Sequence, residues 1–278
     1  MLRACTGLAE PDLAAIADLE RRVVAHDGGR LKLAWPTLAQ RAEQETNDLL
    51  WWEGAELVGF VGIYPFGSVP ELAGMVDPRW RRQGVGSALL AAASAELAGR
   101  GAGTALLVCP RTGAGGVEFG RARGGVEDHS EHALALTGPP AAAPADPRVT
   151  LRAVRPGDLD AVVELLRAGF GHAVDDLDDG SEHVIVERDG ELVGYLRTLF
   201  DAGAQRGDVY GFVVRADLRG QGIGRDVLHR TCSDLIARGA QVVGLEVESR
   251  NDHTLGLYMS LGFRPVVTED YLRLTVAG

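Results

Sequence analysis

Twice in 278 residues the chain passes from a strand-like apolar segment through Arg-x-x-Gly-x-Gly into a helix-like one. The first copy is Arg81, Arg82, Gln83, Gly84, Val85, Gly86, and the second is Arg219, Gly220, Gln221, Gly222, Ile223, Gly224. Glycines at such a turn let backbone N–H groups approach an anion closely. The unpaired N–H groups and dipole of the following helix then point at that anion. The flanking arginine adds charge-assisted hydrogen bonds. A pyrophosphate is the group this pattern suits. It is not a Walker loop, because no Gly-Lys-Ser/Thr follows a four-residue spacer. It is not a dinucleotide fingerprint either, since Leu89 and Val227 stand where the third glycine is required. The competing reading, a glycine turn that only tightens a strand–helix junction, loses ground because the turn recurs in the same context.

Other polar groupings argue for less. Cys5, Cys109 and Cys232 are scattered and odd in number, which excludes a disulfide framework and a cysteine zinc site. Asp128-His-Ser-Glu-His132 has two histidines without an evident third ligand and reads as solvated surface; no metal site is expected. Asp175-Asp-Leu-Asp-Asp-Gly180 has the wrong spacing for a calcium loop, with Val186 where the bidentate glutamate belongs. A net charge of −11 argues against nucleic acid as a partner, because such binding rests on excess Lys and Arg. No apolar run approaches the ~18 residues of a membrane span, and the beginning of the chain lacks a signal-peptide pattern, so a cytoplasmic location is expected.

The elements that must position these turns occur twice. Glu56-Leu-Val-Gly-Phe60 returns as Glu191-Leu-Val-Gly-Tyr195, and Ala105-Leu-Leu-Val108 returns as Gly244-Leu-Glu-Val247, at nearly the offset of the glycine turns. Between the copies lies the Pro/Ala run Gly138–Pro147, which has the character of an extended, semi-rigid linker. The division predicted is an N-terminal domain over 1–138, a linker over 139–148 and a C-terminal domain over 149–278. In the second copy a strand at Val149–Val154 precedes an amphipathic helix with Leu159, Val162, Val163, Leu165 and Leu166 on one face. Strands at Val184–Arg188 and Leu192–Phe200 flank the turn Asp189-Gly190. A strand at Val209–Val214 leads through the turn into a helix to about Arg238. Then come a strand at Val242–Val247, a helix from about Thr254 to Leu261, and a strand near Tyr271–Val276 that completes the copy. Hairpins followed by strand–helix–strand units predict an α+β fold, a mixed sheet with flanking helices.

Val214-Arg-Ala-Asp-Leu-Arg-Gly-Gln-Gly-Ile-Gly224 resembles the coenzyme A signature of the GNAT acyltransferases, and Val76-Asp-Pro-Arg-Trp-Arg-Arg-Gln-Gly-Val-Gly86 resembles it equally. A second block similar to the family's, Val247-Glu-Ser-Arg-Asn251-Asp-His-Thr-Leu-Gly-Leu-Tyr258-Met-Ser-Leu-Gly-Phe263, occurs only in the second copy. The resemblance implies two tandem acyl-CoA-binding domains, acetyl-CoA as cofactor, and direct attack of an amine on the thioester. It implies that backbone N–H groups near Phe212, Val213 and Val214 stabilise the oxyanion, that Tyr258 protonates the departing thiolate, and that Asn251 orients the pantetheine arm. Against these stand bland roles: an aromatic packing the last helix for Tyr258 and a helix cap for Asn251. Glu246 is the candidate general base, sharing a strand face with Glu248 opposite Val247, and Asp208 is an equally weak second. In the first copy Gly120 falls at the tyrosine position, Gly113 at the asparagine position, and Phe119 answers to Leu257. That copy keeps the coenzyme A turn, Val76 through Gly86, but not the chemical side chains.

The resemblance places Asp175–Asp179 and Arg30-Leu-Lys-Leu-Ala-Trp35 in the acceptor regions of the two copies. An acidic lip steering a cationic amine competes there with a solvated turn, and Trp35 reads as core. The tandem layout, with an eroded first copy and an intact second, resembles that of the mycothiol synthases. The function expected is acetyl transfer from acetyl-CoA to the primary amine of a small molecule. A protein N-acetyltransferase and a non-catalytic acyl-CoA sensor are the alternatives, and Tyr258 with Asn251 separates the last from an enzyme.

Overall fold

The computed structural model describes residues 1–41, 44–66, 68–112, 115–170, 180–248 and 252–276. The chain forms two compact units, Met1–Glu131 with Val267–Gly278, and His132–Val266.

In unit 1, β1 (Leu2–Cys5) is followed by α1 (Glu10–Asp27), α2 (Trp35–Ala39), β2 (Asp48–Glu53), β3 (Glu56–Tyr64) and β4 (Glu71–Val76). After the first glycine turn come α3 (Val85–Gly99), β5 (Thr104–Pro110), α4 (Gly116–Arg121) and β6 (Val126–Thr137), which runs on into unit 2. Unit 2 continues with β7 (Val149–Ala153), α5 (Leu159–Phe170), β8 (Glu182–Arg188), β9 (Glu191–Asp201) and β10 (Arg206–Val214). The second turn leads to α6 (Ile223–Ala237), β11 (Val242–Glu248), α7 (Asp252–Leu261) and β12 (Arg264–Thr275).

Each sheet is antiparallel up to its cradle strand and then parallel for one pair. The unit 1 order is β1-β2-β3-β4-β5-β12, with β4/β5 parallel, and the unit 2 order is β7-β8-β9-β10-β11-β6, with β10/β11 parallel. The β8–β9 hairpin turns through Asp189 and Gly190, both at positive φ (55° and 84°), as a two-residue primed turn requires. The cradle helices bury the same face. Val85, Leu89, Leu90, Ala93 and Leu97 of α3 and Ile223, Val227, Leu228, Thr231 and Leu235 of α6 occupy matching positions along their helices, a helical stripe against the sheet. α3 packs into one core of unit 1, and α1 and α2 cover the opposite face; in unit 2 these places fall to α6 with α7, and to α5.

The last strand differs from the expectation. β12 does not complete the second copy; it pairs antiparallel with β5 of the first, Tyr271 opposite Val108 and Leu274 opposite Ala105. The place beside β11 goes to β6, whose Leu134 and Leu136 lie in the α6 core. β6 holds no Gly, Pro or Asn over Val126–Thr137, so nothing turns it back into a hairpin. Compact units therefore do not follow the repeat boundary. The Pro/Ala run is also more than a spacer. Ala141 N donates to Leu261 O (2.9 Å), Asp146 N to the buried Asp226 carboxylate (3.2 Å), and Arg230 of α6 to the carbonyls of Asp146 and Val149.

The strand register also corrects the matching of Ala105–Val108 with Gly244–Val247. The last parallel pairs are Leu72 with Leu107 and Val209 with Leu245, so Leu107 answers to Leu245 and Val108 to Glu246. A one-residue slip exchanges the faces of the sheet. The Asp128–His132 stretch is not solvated surface: His129, Ser130 and His132 are buried.

Tyr271, Leu272 and Leu274 of β12 are at most 5% exposed in unit 1. Each such side chain contributes about 1.5–3 kcal/mol by burial, so together they rival the ~5–15 kcal/mol stability of a whole domain. A fragment 1–148 should therefore fail to unfold cooperatively and should bind a hydrophobic dye, and adding 149–278 should restore cooperativity. The check is thermal unfolding followed by circular dichroism; a 1–148 fragment melting like the full chain contradicts the assignment of β12.

Candidate active site

Unit 2 opens where β10 and β11 stop pairing. They are in register from Arg206/Val242 to Val209/Leu245, and no parallel pair joins Tyr210–Val214 to Glu246–Glu248. At the same level β10 carries a bulge. Arg197 faces Tyr210 and Tyr195 faces Val213, leaving one extra residue on β10, with Gly211 at φ 56°. A bulge leaves backbone groups out of the ladder, and this one, at Gly211 and Phe212, overlaps the expected donor segment Phe212–Val214 only at Phe212. In unit 1 the β3–β4 ladder runs unbroken from Gly59/Val76 to Tyr64/Glu71.

The two cradles share their backbone. Gly84 (φ 90°) and Gly222 (φ 86°) are the N-caps of α3 and α6, neither helix end has a side-chain cap, and a Cβ on either glycine meets no atom within 4 Å. Gly220 takes φ 76°, and Arg82 accepts φ 62° at the matching position. Arg81 Nε donates to Val76 O and Arg219 Nε to Val214 O, both at 3.0 Å. Gly86 and Gly224 let Phe119 and Leu257 lie against the helix, at 3.3 and 3.4 Å from a virtual Cβ. An open, uncapped helix N-terminus beside an arginine fits the diphosphate of acetyl-CoA in chemistry and space.

The cradle arginines differ in their remaining partners. Arg81 grips Asp27, at the end of α1, through two hydrogen bonds (2.9 and 2.6 Å). Burial opposes ionisation of Asp27, but Arg81 and His26 outweigh it and hold its carboxyl below the usual range. Arg219 is exposed and has no carboxylate partner among the described residues. Gln221 accepts from Arg188 (2.6 Å), whereas Gln83 donates to Arg79 O (2.9 Å).

Tyr258 lies on α7 within the α6 core, 6% exposed and edge-on to Phe263 (5.9 Å between centroids). Burial, with Cys232 adding to it, pushes its hydroxyl up to about 12. Asn251 and Asp175–Asp179 lie outside the described residues, as does Gly113. Glu246 and Glu248 are exposed on the face opposite Val247, so Tyr258 and Glu246 lie on opposite faces of the sheet. Asp208 is committed to Arg206 (2.8 and 2.6 Å). Two residues that sequence reasoning did not single out stand near Glu246. Tyr210 is 39% exposed, and the Arg197 guanidinium sits 5.9 Å from its ring centre. Burial, then Asp208 and Glu246, raise the Tyr210 hydroxyl. The signal for this site was Gly211, a glycine interrupting a strand pattern.

In unit 1 the tyrosine's place is filled. A Cβ on Gly120 would meet Leu272 Cδ1 at 2.4 Å and Leu107 Cδ2 at 3.1 Å, so β12 fills the tyrosine's space. The position of Glu246 is taken by the buried Val108.

The uncommitted arginine yields a test on the full chain. Arg219→Met should weaken coenzyme A binding about tenfold or more, the worth of a charge-assisted hydrogen bond. Arg81→Met should instead lower stability, because it strands Asp27, and change affinity less. Titration calorimetry with urea unfolding measures both; equal loss of affinity in the two variants contradicts the distinction between the cradles.

The family model of the acetyltransferase (GNAT) family matches residues 16–116 and again 156–263. Among solved structures, a GCN5-related N-acetyltransferase from Sphaerobacter thermophilus is 20% identical, with all of this chain and 96% of that one covered and a TM-score of 0.81. A tandem GNAT protein from the clavulanic acid biosynthesis pathway is 17% identical, with 100% and 99% covered and a TM-score of 0.73. A glucosamine N-acetyltransferase region of a fungal multi-domain GH3 β-N-acetylglucosaminidase is 17% identical, covers 99% of this chain and 38% of that one, and has a TM-score of 0.78. With one match on each repeat, around each glycine cradle, this chain belongs to the GNAT acetyltransferase family and carries the fold in tandem.

Proposed function

We propose that the chain transfers an acetyl group from acetyl-CoA to the primary amine of a small molecule, and that unit 2 does the work. The observation that carries this reading is the difference between the two units. The bulge at Gly211, the uncommitted Arg219, the buried Tyr258 and the exposed Glu246 all belong to unit 2, and unit 1 lacks a counterpart of each.

Acetyl-CoA, when bound, supplies the acetyl thioester. The N–H groups at the start of α6 and the Arg219 guanidinium would hold its diphosphate. Backbone N–H groups near Phe212–Val214 would donate to the thioester oxygen, a contribution of about 3 kcal/mol per donor in such sites. Glu246, on the α5 face, would accept the proton that the substrate ammonium must lose for its nitrogen to attack the thioester carbon. Tyr258, on the other face, keeps its proton at neutral pH because burial raises its hydroxyl to about 12, and donates it from Oη to the departing sulfur. Acid and base on opposite faces suit an amine and a thiol that reach the opening from different sides.

The non-catalytic reading draws on one feature, the burial of Tyr258 among core side chains. Tyr258→Phe separates the two, since it keeps the ring and removes only the hydroxyl. On an acceptor found by following thiol release over a panel of amines, with glucosamine and other amino sugars first, it should lower kcat by roughly 10²-fold or more with little change in cofactor affinity. Gly84→Val should leave kcat unchanged. A fully active Tyr258→Phe together with a dead Gly84→Val places the chemistry in the wrong unit.

A further inference from the structure

The α1/α2 side of unit 1 holds a charged cluster that neither cradle explains. Lys32, the chain's only lysine, leaves the segment between α1 and α2. Its ammonium donates to Glu131 of β6 and, at 2.5 Å, to the Tyr271 hydroxyl of β12, and it lies 5.2 Å from the centre of the Tyr271 ring. Tyr271 is fully buried and stacks on the buried His129 (4.1 Å between centroids, 18° between planes). Glu269, buried on the same face of β12, and Glu71, at the start of β4, add their charges to that of Glu131 at the ammonium. Burial lowers the proton affinity of Lys32, but these three carboxylates outweigh it and hold the amine above its usual range. Burial raises the Glu71 carboxyl, and Lys32 opposes that shift.

Its location is specific. Tyr271 pairs with Val108, and Leu72 with Leu107 is the last pair between β4 and β5. The ammonium thus sits beside the point where the parallel pair of unit 1 ends. Val108 is the counterpart of Glu246, so in unit 2 the corresponding point is where an amine would lose its proton.

We propose that this cluster is a recognition site for a primary alkylammonium ion and that Lys32 is its built-in occupant, closing unit 1 to external amines. Three carboxylates provide the charge, and the Tyr271 hydroxyl accepts an N–H. The proposal stands apart from catalysis by unit 2, because it concerns binding in unit 1 alone.

Shortening Lys32 to alanine removes three methylenes and the ammonium, which are the atoms of n-propylammonium. In the full-length K32A chain, n-propylammonium chloride should raise Tm saturably, with half-effect in the millimolar range, over sodium chloride at equal ionic strength. Neither 1-propanol nor tetramethylammonium should reproduce it, the first lacking the charge and the second the N–H donors. The wild-type chain should not respond, and K32A/E131Q should respond with at least tenfold weaker affinity. Should K32A not fold unaided, its recovery from urea should depend on n-propylammonium in the same way. K32M, which refills the volume without the charge, should melt below wild type and ignore the amine. Equal effects of n-propylammonium and sodium on K32A, or a K32M chain as stable as wild type, overturn the proposal.

Discussion

A parallel strand pair that stops pairing partway along is the constraint on which both units are built. Backbone N–H and C=O groups left out of a ladder are costly unless something else satisfies them. In unit 2 the pair ends at Val209/Leu245 and in unit 1 at Leu72/Leu107, and in both the strand then runs into a glycine turn at the N-terminus of a helix. Unpaired strand edges and an uncapped helix end point to one ligand with a polar arm and a diphosphate. The matching core faces of α3 and α6 keep that helix end in place, which is why the apolar stripe recurs position for position while the surrounding polar residues do not.

Divergence of the copies follows from what fills the space around the opening. In unit 2 β10 carries a bulge, a tyrosine packs on the α6 side and carboxylates lie on the other. In unit 1 the ladder is unbroken, Leu272 fills the tyrosine's space, and a valine stands for the glutamate. Each replacement is apolar or regular, and each favours packing over chemistry. The cradle arginines differ in the same way: Arg81 is tied down by Asp27, and Arg219 has no carboxylate partner among the described residues.

The glycine cradles were legible because their backbone demands few residue types, and three residues with a fixed spacing carry them. The phase of β5 and β11 was not. Thr104–Pro110 is apolar on both faces, so its alternation is silent, and only the hydrogen-bond register shows that Val108 rather than Leu107 faces the α1/α2 side. The partner of β12 was equally hidden, since a strand's pattern states which face is apolar and not which edge it joins. The two histidines near Glu131 misled for a related reason. Polar residues in a strand suggest water, yet here His129 is covered by an aromatic ring and Ser130 is bonded to Asp270 (2.7 Å).

The charged cluster of unit 1 is not explained by packing. A lysine, three glutamates and a tyrosine are costly to remove from water, and an apolar replacement of the whole set would be at least as stable by ordinary energetics. The α1/α2 face of unit 1 is otherwise a well-packed apolar core, with Phe60, Tyr64, Met75 and Val108 buried. Packing therefore does not require the cluster. Its members come from elements far apart in the chain, from the segment after α1 and from β4, β6 and β12, and they converge where the parallel pair ends. That convergence is the arrangement a cation-binding site needs. In unit 2 the matching face carries Glu246 and Glu248, whereas in unit 1 Glu131 accepts from the chain's own ammonium.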